Sequence, residues 1–255
     1  MRHSFLDEYA GLDSPVHRLN ARVKLLFFIG TIIVCVSTPA DRWPAFIGYF
    51  AILLAVLLAS SLPLRHVAMR ILLVAPFILL TLVSVPFMGS TDGGSYSLGV
   101  GGLHVSRSGL LILWNVAAKA SLSVLCVILL TSTTKFSKLL AGLGALRVPA
   151  IFTMLLGFTY RFIFIIEDEA ERMKRAGDSR GYAGRWLWHA RTIGRMIGAL
   201  FLRSYERAER VHAAMISRGF DGTAIASEVE PVRAGDYAFL CVGAAAVLSL
   251  RMLAK

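Results

Sequence analysis

Two copies of one tripeptide, Ser-Arg-Gly, are the residues best suited to contact a partner. The six residues are Ser179, Arg180, Gly181, Ser217, Arg218 and Gly219, and an aromatic residue follows each copy. A guanidinium binds carboxylates and carbonyls with fixed geometry, so two matched arginines suggest a partner with two matched sockets. A basic last turn closed by a left-handed glycine is also how many ordinary helices end. A docking pair and a plain helix cap both fit the tripeptides alone.

Residue patterns for catalysis or metal binding are absent from the sequence. The six histidines form no HxxxH or HExxH pair, and Cys35, Cys126 and Cys241 lie in apolar runs without CxxC spacing. No GxxxxGK[ST] phosphate loop is present, so the sequence lacks the amide cradle and lysine with which such a loop binds a nucleotide. We therefore predict no metal site, no cofactor and no enzyme activity for this chain.

Two groups of ionisable residues remain to be explained. The acidic cluster at residues 167–171 is followed directly by basic residues, so we interpret it as a solvated helix face that pairs with Arg172 or Arg175. Lys119 lies inside an apolar stretch, where a cation is expensive and is a candidate functional residue. We expect either that its stem snorkels toward the membrane surface or that its ammonium finds Asn115, one turn earlier, or a carbonyl between helices.

The composition is that of a membrane protein. Of the 255 residues, 56% are hydrophobic and 17% are charged, and the mean hydropathy is +0.66. These values are too apolar for a soluble domain of this length. The net charge of +11 is therefore assigned to cytoplasmic loops and lipid headgroups, with no nucleic-acid partner. The predicted fold class is all-α, a polytopic membrane protein with about five transmembrane helices and a cytoplasmic pair of long amphipathic coupling helices.

Five stretches are apolar enough to be membrane spans, each of which needs about 20 residues. They run over Val23–Thr38, Pro44–Leu64, Val67–Met88, Leu110–Thr131 and Tyr237–Leu253. Basic residues precede the first span and mark the turn into the third, so the positive-inside rule places the N-terminus in the cytoplasm. The Gly-rich hairpin at residues 89–109 is then external. The predicted segments are a cytoplasmic start at 1–22, a four-helix membrane region at 23–131, a coupling domain at 132–236 and a last span at 237–255.

The coupling domain at residues 132–236 holds 16 of the 27 Lys and Arg residues. Its residues 148–166 resemble a sixth span, but a span there would place 12 basic residues outside the cell, which the positive-inside rule opposes. We expect instead a long helix along the inner membrane face that continues into the charged residues. Apolar residues from Ile193 to Met215 at spacings of three and four predict a second amphipathic helix that crosses the first. Each helix ends near its Ser-Arg-Gly.

The order of several stretches resembles the transmembrane T component of energy-coupling-factor transporters, most closely the CbiQ/NikQ branch associated with cobalt and nickel uptake. The stretches are SPVHRLNARVKLL, GGLHVSRSGL, TTKFSKLLAGLGALRVPAIF, TYRFIFIIEDEAERMKRA and the two tripeptides. In that family two coupling helices end in Ala-Arg-Gly, and the arginines dock into grooves on two ATP-binding-cassette subunits. Here both alanines are serines, while the arginine and glycine are present. The resemblance therefore implies docking through Arg180 and Arg218.

The same resemblance implies a non-catalytic subunit of a cobalt or nickel importer in the inner membrane of a bacterium or archaeon. The implied partners are two ATPase subunits of the CbiO/NikO type and a substrate-capture membrane subunit of the CbiM/NikM type, with or without a small accessory membrane subunit. A T component for vitamin uptake, a self-sufficient transporter and a membrane-embedded enzyme are the alternatives. The last two would need inverted repeats with mid-membrane polar groups, or a catalytic constellation, and neither is visible.

Overall fold

The computed structural model describes residues 14–39, 42–72, 76, 95–98, 103–181, 190–222 and 231–253. The helices are α1 (Ala21–Ser37), α2 (Trp43–Ala59), α3 (64–72), α4 (Arg107–Thr133), α5 (Phe136–Ala145), α6 (Ala150–Asp178), α7 (Ala190–Ile216) and α8 (Ala234–Leu253). Two short strands, β1 (Ser95–Leu98) and β2 (Leu103–Ser106), pair antiparallel. By their contacts, the residues divide into a membrane unit, within 2–142 and 229–255, and a paired-helix unit, within 143–228.

The all-α prediction is confirmed, with the β1–β2 hairpin as an addition to it inside the predicted Gly-rich hairpin. α5 was not predicted, and α2 ends five residues before the predicted Leu64. The early end has a local cause, because the Ser60 hydroxyl donates to the Leu57 carbonyl (2.7 Å) and Ser61 adopts a left-handed φ of 53°. The predicted third span begins at 64 instead of Val67, and its part beyond 72 lies outside the described residues except for position 76.

Three helical segments have the length and apolar composition of a membrane span among the described residues. They are Leu113–Thr133, Ala150–Asp178 and Ala234–Met252. α1 and α2 are shorter, with 17 residues each. Ala150–Asp178 therefore meets the criteria of a span by length and composition, and the basic residues that follow it are what favour a position along the membrane face.

Two lysines join α1 and α4 at opposite ends of this antiparallel pair. Lys24 Nζ, on α1, donates to the carbonyl of Thr133 at the end of α4 (2.9 Å). Lys119 Nζ, on α4, donates to the carbonyl of Val36 at the end of α1 (2.8 Å), which confirms the expected carbonyl between helices. The last carbonyls of a helix lack intrahelical partners and carry partial negative charge, so each ammonium satisfies the terminus of the neighbouring helix. Partners of this kind offset the cost of placing a cation in an apolar helix, which is about 2.5–3.5 kcal/mol at the centre of a membrane span.

α8 packs against α1 and α2 through two glycines. A Cβ on Gly243 would lie 2.5 Å from the Phe27 ring, and a Cβ on Gly48 would lie 2.6 Å from Leu250. Phe27 also packs edge-on against Phe239 of α8, with ring centroids 5.0 Å apart. The absence of a side chain at these glycines lets the helices approach closely, as is usual between membrane helices.

The start of α8 lies at the same end of the membrane unit as the start of α1. Asp236 is buried and accepts hydrogen bonds from the amides of Asn20 (3.0 Å) and Arg233 (2.8 Å). The Asn20 side chain in turn caps α1 by accepting from the Arg22 amide (3.1 Å). α1 and α8 therefore run in the same direction, while α4 runs opposite to both.

Candidate docking site on the paired-helix unit

Both tripeptides form the last turn of a long helix and close it in the same way. Gly181 has a φ of 78°, and its amide donates to the Asp178 carbonyl (3.1 Å). Gly219 has a φ of 81°, and its amide donates to the Ile216 carbonyl (2.9 Å). The predicted left-handed glycine caps are confirmed. No atom lies within 4 Å of a Cβ built on either glycine, so glycine is favoured here by backbone conformation alone.

The two serines turn their hydroxyl groups back onto their own helices. Ser179 Oγ donates to the Ala176 carbonyl (3.0 Å), and Ser217 Oγ donates to the Ala213 carbonyl (2.9 Å). Because the hydroxyl proton is engaged with its own helix, the serine adds little beyond a small side chain to the tip.

The two arginines are exposed at these tips. Arg180 and Arg218 precede the left-handed glycines and are both exposed to solvent. Within the ranges described, no hydrogen bond or ion pair engages either guanidinium. Two free cations, each held at a rigid helix end, can therefore bind carboxylate or carbonyl groups of another protein.

One carboxylate links the two long helices. Glu169 of α6 pairs with Arg172 one turn on (2.6 Å) and with Arg203 of α7. The pairing with Arg172 confirms the predicted solvated acidic face. The link to Arg203 was not predicted, because a sequence pattern places Glu169 on a face but does not identify its partner on another helix. Hydrogen bonds from Arg172 and then Arg203 lower the pKa of the Glu169 carboxyl.

Two clefts flank this contact between α6 and α7. One cleft, of about 200 Å³, lies between the apolar half of α6 at Phe162 and Ile166 and the second half of α7 at Arg207. The other, of about 590 Å³, lies between the charged half of α6 and the first half of α7, and Arg180 lines it. The two helices therefore run antiparallel and meet at Glu169 and Arg203, and their crossing stays a prediction.

Replacing Glu169 with glutamine is expected to loosen the crossing at neutral pH, because the amide has no charge to hold the two arginines. A carboxyl with a lowered pKa in the folded state contributes stability above its unfolded pKa and loses it as the pH falls through the lowered value. Acidification of the unmodified protein should therefore reproduce the effect of Glu169→Gln. Spin labels on α6 and α7 would report it as a broader interhelical distance distribution.

The matched control is Glu206→Gln, which removes an ion pair with Arg210 inside α7 (3.8 Å) and leaves the crossing untouched. Equal broadening in the Glu206 and Glu169 variants would show that general charge loss, and not the link between helices, controls the distance.

The long apolar helices define a class of protein, a multi-pass membrane protein. Among the described residues no group of three His, Cys, Asp or Glu side chains is placed to hold a metal ion. The family described as CbiQ, Cobalt transport protein, matches residues 13–229. The chain belongs to this family, whose members are the transmembrane components of energy-coupling-factor transporters.

Individual relatives resemble the chain at moderate identity. A protein of Methanocorpusculum labreanum named "Putative fused cobalt transport protein CbiMQ" is 27% identical over 89% of this chain, which spans only 39% of that protein. The "Energy-coupling factor transporter transmembrane protein EcfT" of Listeria innocua is 27% identical, covering 87% of this chain and 86% of that protein. The "Cobalt transport protein CbiQ" of Rhodobacter capsulatus is 38% identical over 36% of this chain and 38% of that protein.

Proposed function

We propose that this chain is the coupling subunit of a cobalt or nickel importer. In this proposal, Arg180 and Arg218 dock into two ATP-binding-cassette subunits, whose ATP-driven motion is passed through α6 and α7 to a separate membrane subunit that captures the metal ion. The observation that carries the proposal is the pair of identical helix ends, each with an exposed arginine that has no partner among the described residues. ATP hydrolysis belongs to the partner subunits.

The names of the relatives support the substrate and the capture partner. The family description and two of the relatives name cobalt, and the fused relative joins CbiM and CbiQ in its name. The EcfT relatives carry no substrate in their names, so a T component for vitamin uptake is the second candidate.

The proposed topology places the N-terminus and the paired-helix unit in the cytoplasm, in a bacterial or archaeal plasma membrane. The positive-inside rule supports this side for the N-terminus. The shared end of α1 and α8, fixed by Asn20 and Asp236, then supports a last helix that runs outward. Lys24 brings the end of α4 to the same face, which supports a cytoplasmic start for the segment that follows α4.

The test is to purify the tagged full chain from its native membranes and to reconstitute what copurifies into liposomes. We expect two ATPase subunits and a metal-capture membrane subunit, and ATP-dependent accumulation of radioactive cobalt or nickel only when all are present. A copurified capture subunit that binds a vitamin instead of a metal would select the second candidate. Ion flux through the isolated chain would contradict the coupling role altogether.

A further inference from the structure

We infer that Lys24 is a positioning residue that anchors the α4–α5 elbow, the point from which the chain leads into the coupling helices. The elbow is the junction of α4 and α5 at residues 133–136. This inference rests on the proposed function, because an anchor matters for transport only if α6 and α7 transmit movement. It assigns a mechanical role to a lysine that the charge pattern alone places among the cytoplasmic positive charges.

The ammonium of Lys24 is buried and hydrogen-bonded. The residue is 1% exposed. Its Nζ donates to the Thr133 carbonyl (2.9 Å), the Thr134 hydroxyl (3.2 Å) and the His17 carbonyl (3.2 Å). An ammonium has three protons to donate, and these are its hydrogen-bond acceptors among the described residues. One side chain therefore ties the turn before α1 to the two residues at which α4 ends.

The far end of α5 is held against the same part of α1. Gly142 is buried, and a Cβ at this position would lie 3.2 Å from Leu25 Cδ1 and 3.3 Å from the Arg22 amide nitrogen. A larger residue here would make unusually tight contacts, and the neighbouring atoms of α1 would have to shift by a few tenths of an ångström. Lys24 thus holds the two residues just before α5, and Gly142 of α5 lies close to the first two turns of α1.

The chain then leaves α5 through a closed cap. The Val148 amide donates to the Leu143 carbonyl (3.3 Å), and Arg147 takes the left-handed φ of 64° that such a cap requires. Pro149 precedes the first residue of α6. Only four residues, 146–149, lie between α5 and α6. This connection is too short to absorb much movement of one helix relative to the other.

An anchored elbow converts movement of α6 into force on the membrane unit. If Thr133 and Thr134 were free, rotation at the elbow would absorb the movement, and ATP would be hydrolysed without transport. Lys119 makes the same kind of bond at the other end of the α1–α4 pair, far along α4 from the elbow. Comparing substitutions at Lys24 and Lys119 therefore distinguishes an anchoring role, which only Lys24 would have, from a contribution to stability, which both would make.

The experiment compares Lys24→Met with Lys119→Met in the complete complex reconstituted in liposomes. Both variants should lower the thermal stability, because each leaves a helix-terminal carbonyl without its donor. Only Lys24→Met should lower the amount of cobalt accumulated per ATP hydrolysed, by about fivefold or more, the lower end of usual coupling between sites. Thr134→Val, which removes one of the three acceptors, is the milder variant if Lys24→Met fails to fold, and should give an intermediate loss.

Hydrogen exchange gives a second readout that does not depend on transport. In the purified chain, Lys24→Met should accelerate amide exchange at residues 134–142, and Lys119→Met should not. Equal exchange in the two variants, or an equal fall in cobalt accumulated per ATP, would overturn the anchoring role. If the unmodified complex accumulates no metal, the proposed function is contradicted instead. The exchange rates would still show whether Lys24 anchors the elbow.

Discussion

Replacing Arg180 and Arg218 together with alanine is expected to abolish ATP-dependent uptake while the chain still inserts into the membrane. Removing one side of a buried, hydrogen-bonded charge contact costs about 2–5 kcal/mol. Even the lower value raises a dissociation constant about 30-fold for each arginine. Binding of the ATPase subunits to the purified chain, measured by copurification and by titration in detergent, should fall accordingly.

The control for this double variant removes the same charge elsewhere on the paired-helix unit. Arg195 and Arg207 are exposed on α7, and neither belongs to a tripeptide. Alanine at both positions should leave ATPase binding close to that of the unmodified chain. Unchanged uptake in the Arg180 and Arg218 variant, or an equal loss in the control, would exclude the tips as the docking residues.

Replacing Gly243 with alanine is expected to lower the free energy of unfolding of the membrane unit by about 1–3 kcal/mol, the usual cost of overpacking. The added methyl group would lie 2.5 Å from the Phe27 ring. That ring cannot retreat easily, because it also packs against Phe28 and Phe239. Gly48→Ala should cost less, since Leu250 meets it with the flexible end of its side chain.

Gly30→Ala provides the matched comparison, because nothing lies within 4 Å of a Cβ at this position of α1. The same change of one methyl group should there be neutral or raise stability by up to about 1 kcal/mol, through the better helix propensity of alanine. Thermal unfolding in detergent measures all three variants. A Gly30 variant that is destabilised as much as the Gly243 variant would refute the close-packing explanation.

The elements that could be predicted are those whose signal is local in the chain. α6 and α7 are long and strongly periodic, and both tripeptides supply an unambiguous glycine cap at their ends. The helix faces and caps depend on neighbours within a few turns, which a sequence displays directly. For Lys119 the sequence indicated only that a partner was needed, Asn115 or a carbonyl between helices, because its actual partner Val36 lies 83 positions away.

The features that could not be predicted depend on contacts between distant parts of the chain. Lys24 and Thr133 are 109 positions apart, so counting basic residues before a span cannot reveal that this one is buried. α5 has ten residues and two internal glycines, which is too little periodic signal to mark a helix. The role of Glu169 at the crossing requires Arg203, 34 positions away on another helix.

The α6–α7 contact through Glu169 has a mechanical consequence. Exposed ion pairs contribute little to stability. A link of this kind between α6 and α7 can break and re-form at low cost, so nucleotide-driven movement at the helix ends would meet little resistance at Glu169.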